Sequence, residues 1–201
     1  MIRIKALASL VENDAKIIDI GTDHALLPIY LYLNKITKNI VASDISNLAL
    51  EYARANLIKY NLEDKIKLVL SDGFKNLDEK FDIAVISGMG TDTIKKILDY
   101  KDLPHKLIIS SHKNVSSLRS YMQSIEYKLI KEVVVKKRNK FYNIIKYEKG
   151  IDNLSKLDIL IGKSNNLEYR EYLLNKYKKI YEKSCDKKYL EYIKLIEKSL
   201  V

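Results

Sequence analysis

Asp19, Gly21, Asp23 and His24 lie in and just after an apolar run, Lys16-Ile17-Ile18-Asp19-Ile20, and lead into Ala25. An apolar strand that ends in an acid and a glycine turn suits a nucleotide-like cofactor. Open parallel sheets bind ligands beyond the carboxyl ends of their strands, and glycine lets the backbone turn close to the ligand. The dinucleotide fingerprint needs three glycines, whereas Thr22-Asp23-His24-Ala25-Leu26 follows the single Gly21 and leaves no bare nest of amides for a pyrophosphate. A sulfonium cofactor without phosphates fits better than NAD.

The second apolar run, Ile40 to Ser43, ends at Asp44, 25 positions after Asp19. An acid about twenty residues on accepts from ribose hydroxyls in Rossmann sites, and Asp44 fits that role; the competing reading is a cap for the helix from Ser46 onward. Asp72-Gly73 ends the third run, either to accept from an exocyclic adenine amine and admit the base, or as an ordinary Asp-Gly turn. After the fourth run comes Ser87-Gly88-Met89-Gly90-Thr91, with Thr91 or Asp92 expected to cap the next helix. Many amino-methyltransferases carry an Asp/Asn-Pro-Pro-aromatic loop at this place. Gly-Met-Gly points instead to a ring nitrogen, whose in-plane lone pair needs mainly proximity and orientation.

His24 lies in the first loop, His112 follows the fifth run at the same edge, and His105 beside Pro104 is expected in a surface turn. No two histidines have the spacing of a helical metal site, and the single Cys185 excludes a cysteine-based zinc cluster and an intrachain disulfide, so no metal is expected. His24 is either a cofactor-loop residue or a hydrogen-bonded structural ring. Lys136-Lys137-Arg138 with Lys140, next to Phe141 and Tyr142, sets cations beside aromatic faces. That pattern suits phosphate contact and base stacking, or else protects an exposed strand edge. Lys113 and Arg119 flank the His112 loop and are expected to anchor phosphates nearer the chemistry.

These residues need a scaffold that brings successive loops to one edge. Lys16 to Ile20, Ile40 to Ser43, Ile66 to Leu70, Phe81 to Ser87 and Lys106 to Ser110 read as strands alternating with amphipathic stretches such as Asn47 to Tyr60, Thr91 to Leu98 and Val115 to Ile125. Alternation of this kind predicts an α/β fold with a parallel sheet. Leu129 to Lys136 and Phe141 to Tyr147, joined by Lys137-Arg138-Asn139, read as an antiparallel edge hairpin. From Leu167 onward, Leu173, Tyr177 and Ile180 form one apolar stripe, and Tyr189, Ile193, Ile196 and Leu200 form another. With Ser184 to Lys187 as the turn, this predicts an antiparallel helical hairpin in which Tyr177 and Tyr189 pack rather than stack on a ligand. The expected division is residues 1–150 and 151–201.

The 201 residues include 36 Lys and Arg against 26 Asp and Glu, a net charge of +10. That excess favours a polyanionic partner, although basic surfaces also serve solubility. The residues Met1 to Leu10 lack an apolar leader core and a small-residue cleavage site, and no run is long enough to span a membrane. A cytoplasmic location and a monomer are expected.

Asp19-Ile20-Gly21-Thr22-Asp23-His24-Ala25-Leu26-Leu27-Pro28, Asp72-Gly73, Gly88-Met89-Gly90 and Leu118-Arg119 together resemble the bacterial tRNA adenine-N1 methyltransferase family TrmK, which modifies tRNA position 22. The resemblance spans most of the chain. The family's G-M-G-G loop appears here as Gly88-Met89-Gly90-Thr91, and its Q-P-N after the fifth strand is replaced by Ser110-Ser111-His112. It implies a Rossmann-like class I methyltransferase domain joined to a C-terminal coiled-coil hairpin, with S-adenosylmethionine as cofactor and tRNA as partner. The residues then expected around the cofactor are Gly21, Asp23, His24, Asp44, Ile45, Asp72, Gly73, Gly88 and Met89. Asp23 is expected nearest the reacting centre, with His112 the second catalytic candidate. A small-molecule methyltransferase and a non-catalytic tRNA-binding protein are the competing readings.

Overall fold

The computed structural model describes residues 1–200. Its centre is a seven-stranded sheet in the order β3-β2-β1-β4-β5-β7-β6, built from β1 (Ile17–Ile20), β2 (Ile40–Asp44), β3 (Lys67–Leu70), β4 (Ile83–Ser87), β5 (Lys106–Ser111), β6 (Tyr127–Lys137) and β7 (Lys140–Lys149). The first five strands are parallel, and β7 pairs antiparallel with both β5 and β6. All five expected parallel strands are present, with end shifts of one or two residues.

β1 and β4 are almost wholly apolar, with Asp19 the one acid inside β1, because both faces of the central sheet are covered. Successive residues point to opposite faces: Ile17 joins a core with Leu7, Leu31 and Leu57, whereas Ile18 and Ile20 join one with Ile94, Leu118 and Met122. The first core is closed by α1 (Ile2–Ala8), α2 (Leu26–Leu33) and α3 (Asn47–Lys59), the second by α4 (Thr91–Leu98) and α5 (Val115–Ser124). Since β1 has β2 on one side and β4 on the other, the strand order reverses there and opens a crevice at the carboxyl ends of β1 and β4.

Both hairpins expected from the sequence form, with one correction. The β6–β7 turn is the two residues Arg138 and Asn139, not three, because Arg138 adopts φ +54° and lets β6 run on to Lys137. The C-terminal α7 (Leu167–Ser184) and α8 (Lys187–Lys198) pack on each other and share a third core with Val134 and Phe141 of the edge hairpin. Tyr177 is buried there and Tyr189 packs against it, as expected. Between sheet and helical hairpin lies α6 (Lys156–Ile161), started by a capping box of Ser155 and Asp158. Leu154 packs into the second sheet core, so the segment after residue 150 leans on the sheet before the long helices begin. Among the described residues no helix is long and apolar enough to cross a membrane.

Candidate functional site

The first loop is built around a glycine in a backbone conformation that L side chains rarely adopt. Gly21 has φ +73°, and a Cβ there would lie 1.9 Å from the Met89 methyl carbon. Met89, from the loop after β4, therefore lies across the loop after β1. The amides of Gly21 and Thr22 both donate to the Ser43 carbonyl, at 2.8 and 2.9 Å, locking this turn to the end of β2. Beneath it, the Thr22 hydroxyl donates to Asp19 Oδ2 at 2.8 Å. Asp19 is buried, and desolvation, reinforced by the nearby Asp44 charge and opposed by the Thr22 hydrogen bond, pushes its carboxyl up to about 6.

That shift has a stability consequence. The folded state holds the Asp19 proton more tightly than the unfolded chain, so its contribution falls as pH rises from about 4 to about 6 and is flat above, a loss of about 3 kcal/mol at most. Asp19→Asn is expected to flatten this part of the stability profile. Denaturant unfolding of both proteins at pH 4.5 and 7 checks it; an unchanged difference between them would refute the buried titration.

Asp44 is held by two backbone donors: Asp23 N–H reaches Oδ2 at 3.1 Å and Ser46 N–H reaches Oδ1 at 3.0 Å. Ser46 itself caps α3 by accepting from Ala49, so the capping alternative for Asp44 is answered by its neighbour. Ile45, beside it, leaves 68% of its surface exposed at this edge. An isolated exposed isoleucine is ordinary, but one between a fixed carboxylate and a helix start offers an apolar shelf for a flat ring. Asp23 adopts φ +52°, and its carboxylate is exposed, 3.5 Å from His24 Nε2. The His24 ring sits 5.4 Å from that of Tyr52, and its carbonyl accepts from Asn56.

Asp72 faces solvent and pairs with Lys75 at 2.6 Å, while Gly73 has φ +63°. Around Gly88 and Gly90 a Cβ would meet nothing within 4 Å, so open space borders the loop after β4. Gly90, not Thr91 or Asp92, is the N-cap of α4, and no side chain caps it. The Thr91 hydroxyl instead donates to the Lys113 carbonyl at 2.6 Å, tying this loop to the one after β5.

Several expected RNA contacts are rearranged. Arg119 is 0% exposed and cannot touch phosphate. Its guanidinium pairs with Glu132 at 2.5 Å and donates to the Ile159 carbonyl and Asn143 Oδ1, because α5 turns this face inward onto β6 and β7. Lys136 is engaged by Glu168. Lys113, Lys137, Arg138 and Lys140 are exposed. His112 is set 5.2 Å from the Tyr142 ring, with burial and the charges of Lys140, Lys113 and Arg3 holding its imidazole below the usual range. It lines a cleft against the C-terminal helices that none of the nine expected cofactor residues lines, so the structure groups it with the basic residues rather than with Asp23.

The loops after β1, β2 and β4 thus converge on one edge, with open ground, a fixed acid and an apolar shelf. A methyltransferase-domain family matches residues 1–145. A candidate tRNA methyltransferase of Mycoplasma genitalium is 34% identical over 153 residues, covering 73% of this chain and 69% of the relative. The tRNA (adenine(22)-N(1))-methyltransferase of Bacillus subtilis is 29% identical over 74% of this chain and 64% of its own length. Among solved structures, the Mycoplasma capricolum TrmK bound to S-adenosyl-homocysteine is 32% identical, covers 100% of this chain and 97% of that one, and superposes with a TM-score of 0.86.

Proposed function

The chain belongs to the TrmK methyltransferase family, and from that premise we propose that it transfers the methyl group of S-adenosylmethionine to N1 of an adenosine in tRNA, at position 22. The observation that carries the reading is the Asp44 carboxylate, held by Asp23 and Ser46 beside exposed Ile45 at the end of β2, next to the crevice at the sheet's switch point. The residues present fit the cofactor. Asp44 would accept from its ribose, Ile45 would offer an apolar surface to its adenine, Asp72 would accept from the adenine amine, and the Gly21 turn would border its amino-acid end.

When bound, S-adenosylmethionine supplies an electrophilic methyl group on a sulfonium. Gly88 and Gly90 leave room for the target adenine to approach it edge-on, and Met89 floors that space against Gly21. Adenine N1 is normally paired, so the base must be exposed, at a cost of about a few kcal/mol that phosphate contacts offset. We assign those contacts to Lys113, Lys137, Arg138 and Lys140, with Lys136 released from Glu168 when RNA approaches. Methylation leaves the ring cationic, and the exposed Asp23 carboxylate meets that charge as it develops. His24 supports the same loop. Residues 1–150 form the methyltransferase unit and 151–201 the helical appendage of a cytoplasmic monomer.

Incubation with S-adenosylmethionine and unmodified tRNA, followed by nucleoside analysis, is expected to yield 1-methyladenosine; its absence overturns the reading. In the same assay Asp23→Asn, which keeps the backbone bond to Asp44, is expected to slow single turnover about a hundredfold at saturating ligands. A near-normal rate would leave Asp23 a structural role only.

A further inference from the structure

We propose that the cleft between the loop after β5, the edge hairpin and the C-terminal helices is a second nucleotide site, which holds a non-reacting nucleotide of the RNA beside the methylated one. The proposal rests on the chain being a tRNA methyltransferase. The cleft has a volume of about 630 Å³, within the usual range for a site that encloses a nucleotide-sized ligand.

Its charge is one-sided. Lys113, Lys140, Lys176 and Lys188 line it, and no aspartate or glutamate does, in a chain that carries 26 acidic residues. None of the four forms an ion pair among the described residues, whereas ten other lysines do. Four unpaired ammonium groups around one concavity repel each other unless an anion joins them.

The walls are aromatic. Tyr172 lies 5.0 Å from the Phe141 ring and is still 42% exposed, while Tyr192 meets Tyr177 edge-on at 5.3 Å. Lys188 lies over the ring of the half-buried Tyr192, so phosphate-binding charge adjoins a ring that can stack on a base, while the buried Tyr177 backs the wall. On the floor, the buried Tyr169 hydroxyl accepts from Asn143 at 3.2 Å but donates to no protein acceptor among the described residues. That leaves one proton for a ligand oxygen or ring nitrogen. A helical duplex is too wide for such a cleft; an unstacked nucleotide is not. An acidic peptide would answer the lysines but leave the aromatic walls unused.

The cleft is separate from the methyl-donor edge yet mechanically joined to it. Lys113 on its rim accepts, through its carbonyl, the Thr91 hydroxyl at the start of α4, one residue past the Gly88–Gly90 loop. A nucleotide seated here would hold its neighbour in the chain near that loop.

The test uses the full chain with an unmodified tRNA transcript. Tyr172→Ala is expected to raise both the dissociation constant and the KM for tRNA about fivefold or more, the loss of one stacked base. Tyr172→Phe, which keeps the ring, is expected to restore both values. Lys176→Gln with Lys188→Gln is expected to flatten the slope of log affinity against log salt by about 1.4 units. Calorimetry with S-adenosylmethionine is expected to give wild-type affinity in every variant. All these side chains are on the helical surface, and melting curves check that the variants fold. If wild type methylates tRNA and the variants keep its affinity and salt slope, the cleft proposal is overturned, as it is if phenylalanine fails to rescue. If the variants lose tRNA affinity as expected but wild type makes no 1-methyladenosine, the cleft is an RNA-nucleotide site and it is the methylation reading, with the placing beside a methylated base, that falls.

Discussion

Asp44→Ala is expected to weaken S-adenosylmethionine binding about a hundredfold or more, because two charge-assisted hydrogen bonds to a ribose contribute about 1.5 to 3 kcal/mol each before non-additivity. The loss is larger than the ribose contacts alone. Asp44 also accepts from Asp23 and Ser46, so its removal takes away one of the bonds that hold the loop carrying the proposed reacting-centre carboxylate. Asp44→Asn keeps one oxygen acceptor and is expected to fall between wild type and alanine. RNA affinity is expected to change little in either variant, since the exposed cations lie on the loop after β5 and on the edge hairpin, not on the loops after β1 and β2. Calorimetric titration with the cofactor, paired with tRNA binding by filter retention, makes the check. Wild-type cofactor affinity in Asp44→Ala would remove the ribose assignment and with it the principal argument for where the cofactor sits.

The parallel strands, the edge hairpin and the C-terminal stripes are legible because their signal is local. An Ile-rich run bounded by Gly21, or apolar residues at helical spacing from Tyr189 to Leu200, can be read without knowing what packs on it. The short helices α1, α2 and α6 are less so. α2 is apolar nearly throughout, with Pro28 in its first turn, so it carries little periodicity, and α6 has only six residues. The loop acids are readable as a set, since a parallel sheet delivers its strand ends to one edge whatever the helices do. Charge partners are not. Lys136 meets Glu168 and Arg119 meets Glu132 across separate elements, and nothing in the spacing of these residues announces either pair. Met89 against Gly21 is similar: the Gly-Met-Gly loop suggests exposed backbone, but only the fold shows that the methionine side chain fills the glycine's place.

Arg119→Ala is expected to destabilise the protein by about 3 to 5 kcal/mol, the cost of leaving a buried partner charge uncompensated. Burial works against the guanidinium charge, but Glu132 and smaller contributions from Tyr169 and Tyr147 together outweigh it and hold Arg119 above its ordinary pKa. Without the arginine, the Glu132 side chain keeps only the Lys163 amide and remains enclosed, and the Ile159 and Leu160 carbonyls at the end of α6 lose a shared donor. The surroundings cannot close the gap. Gly162, at φ +82°, is packed so tightly that a Cβ would lie 2.0 Å from Glu132 and 2.6 Å from Arg119. Asn143 would also lose its donor while still bonded to Tyr169, so the disturbance reaches α7 and the floor of the basic cleft. Replacing both charges, as in Arg119→Met with Glu132→Leu, is expected to recover much of the loss, because the penalty comes from the unpaired charge more than from the missing bond. Denaturant unfolding of the two single variants and the double variant measures the coupling. A loss under about 1 kcal/mol in Arg119→Ala would mean that water reaches Glu132 and that the helical appendage is not fastened through this pair.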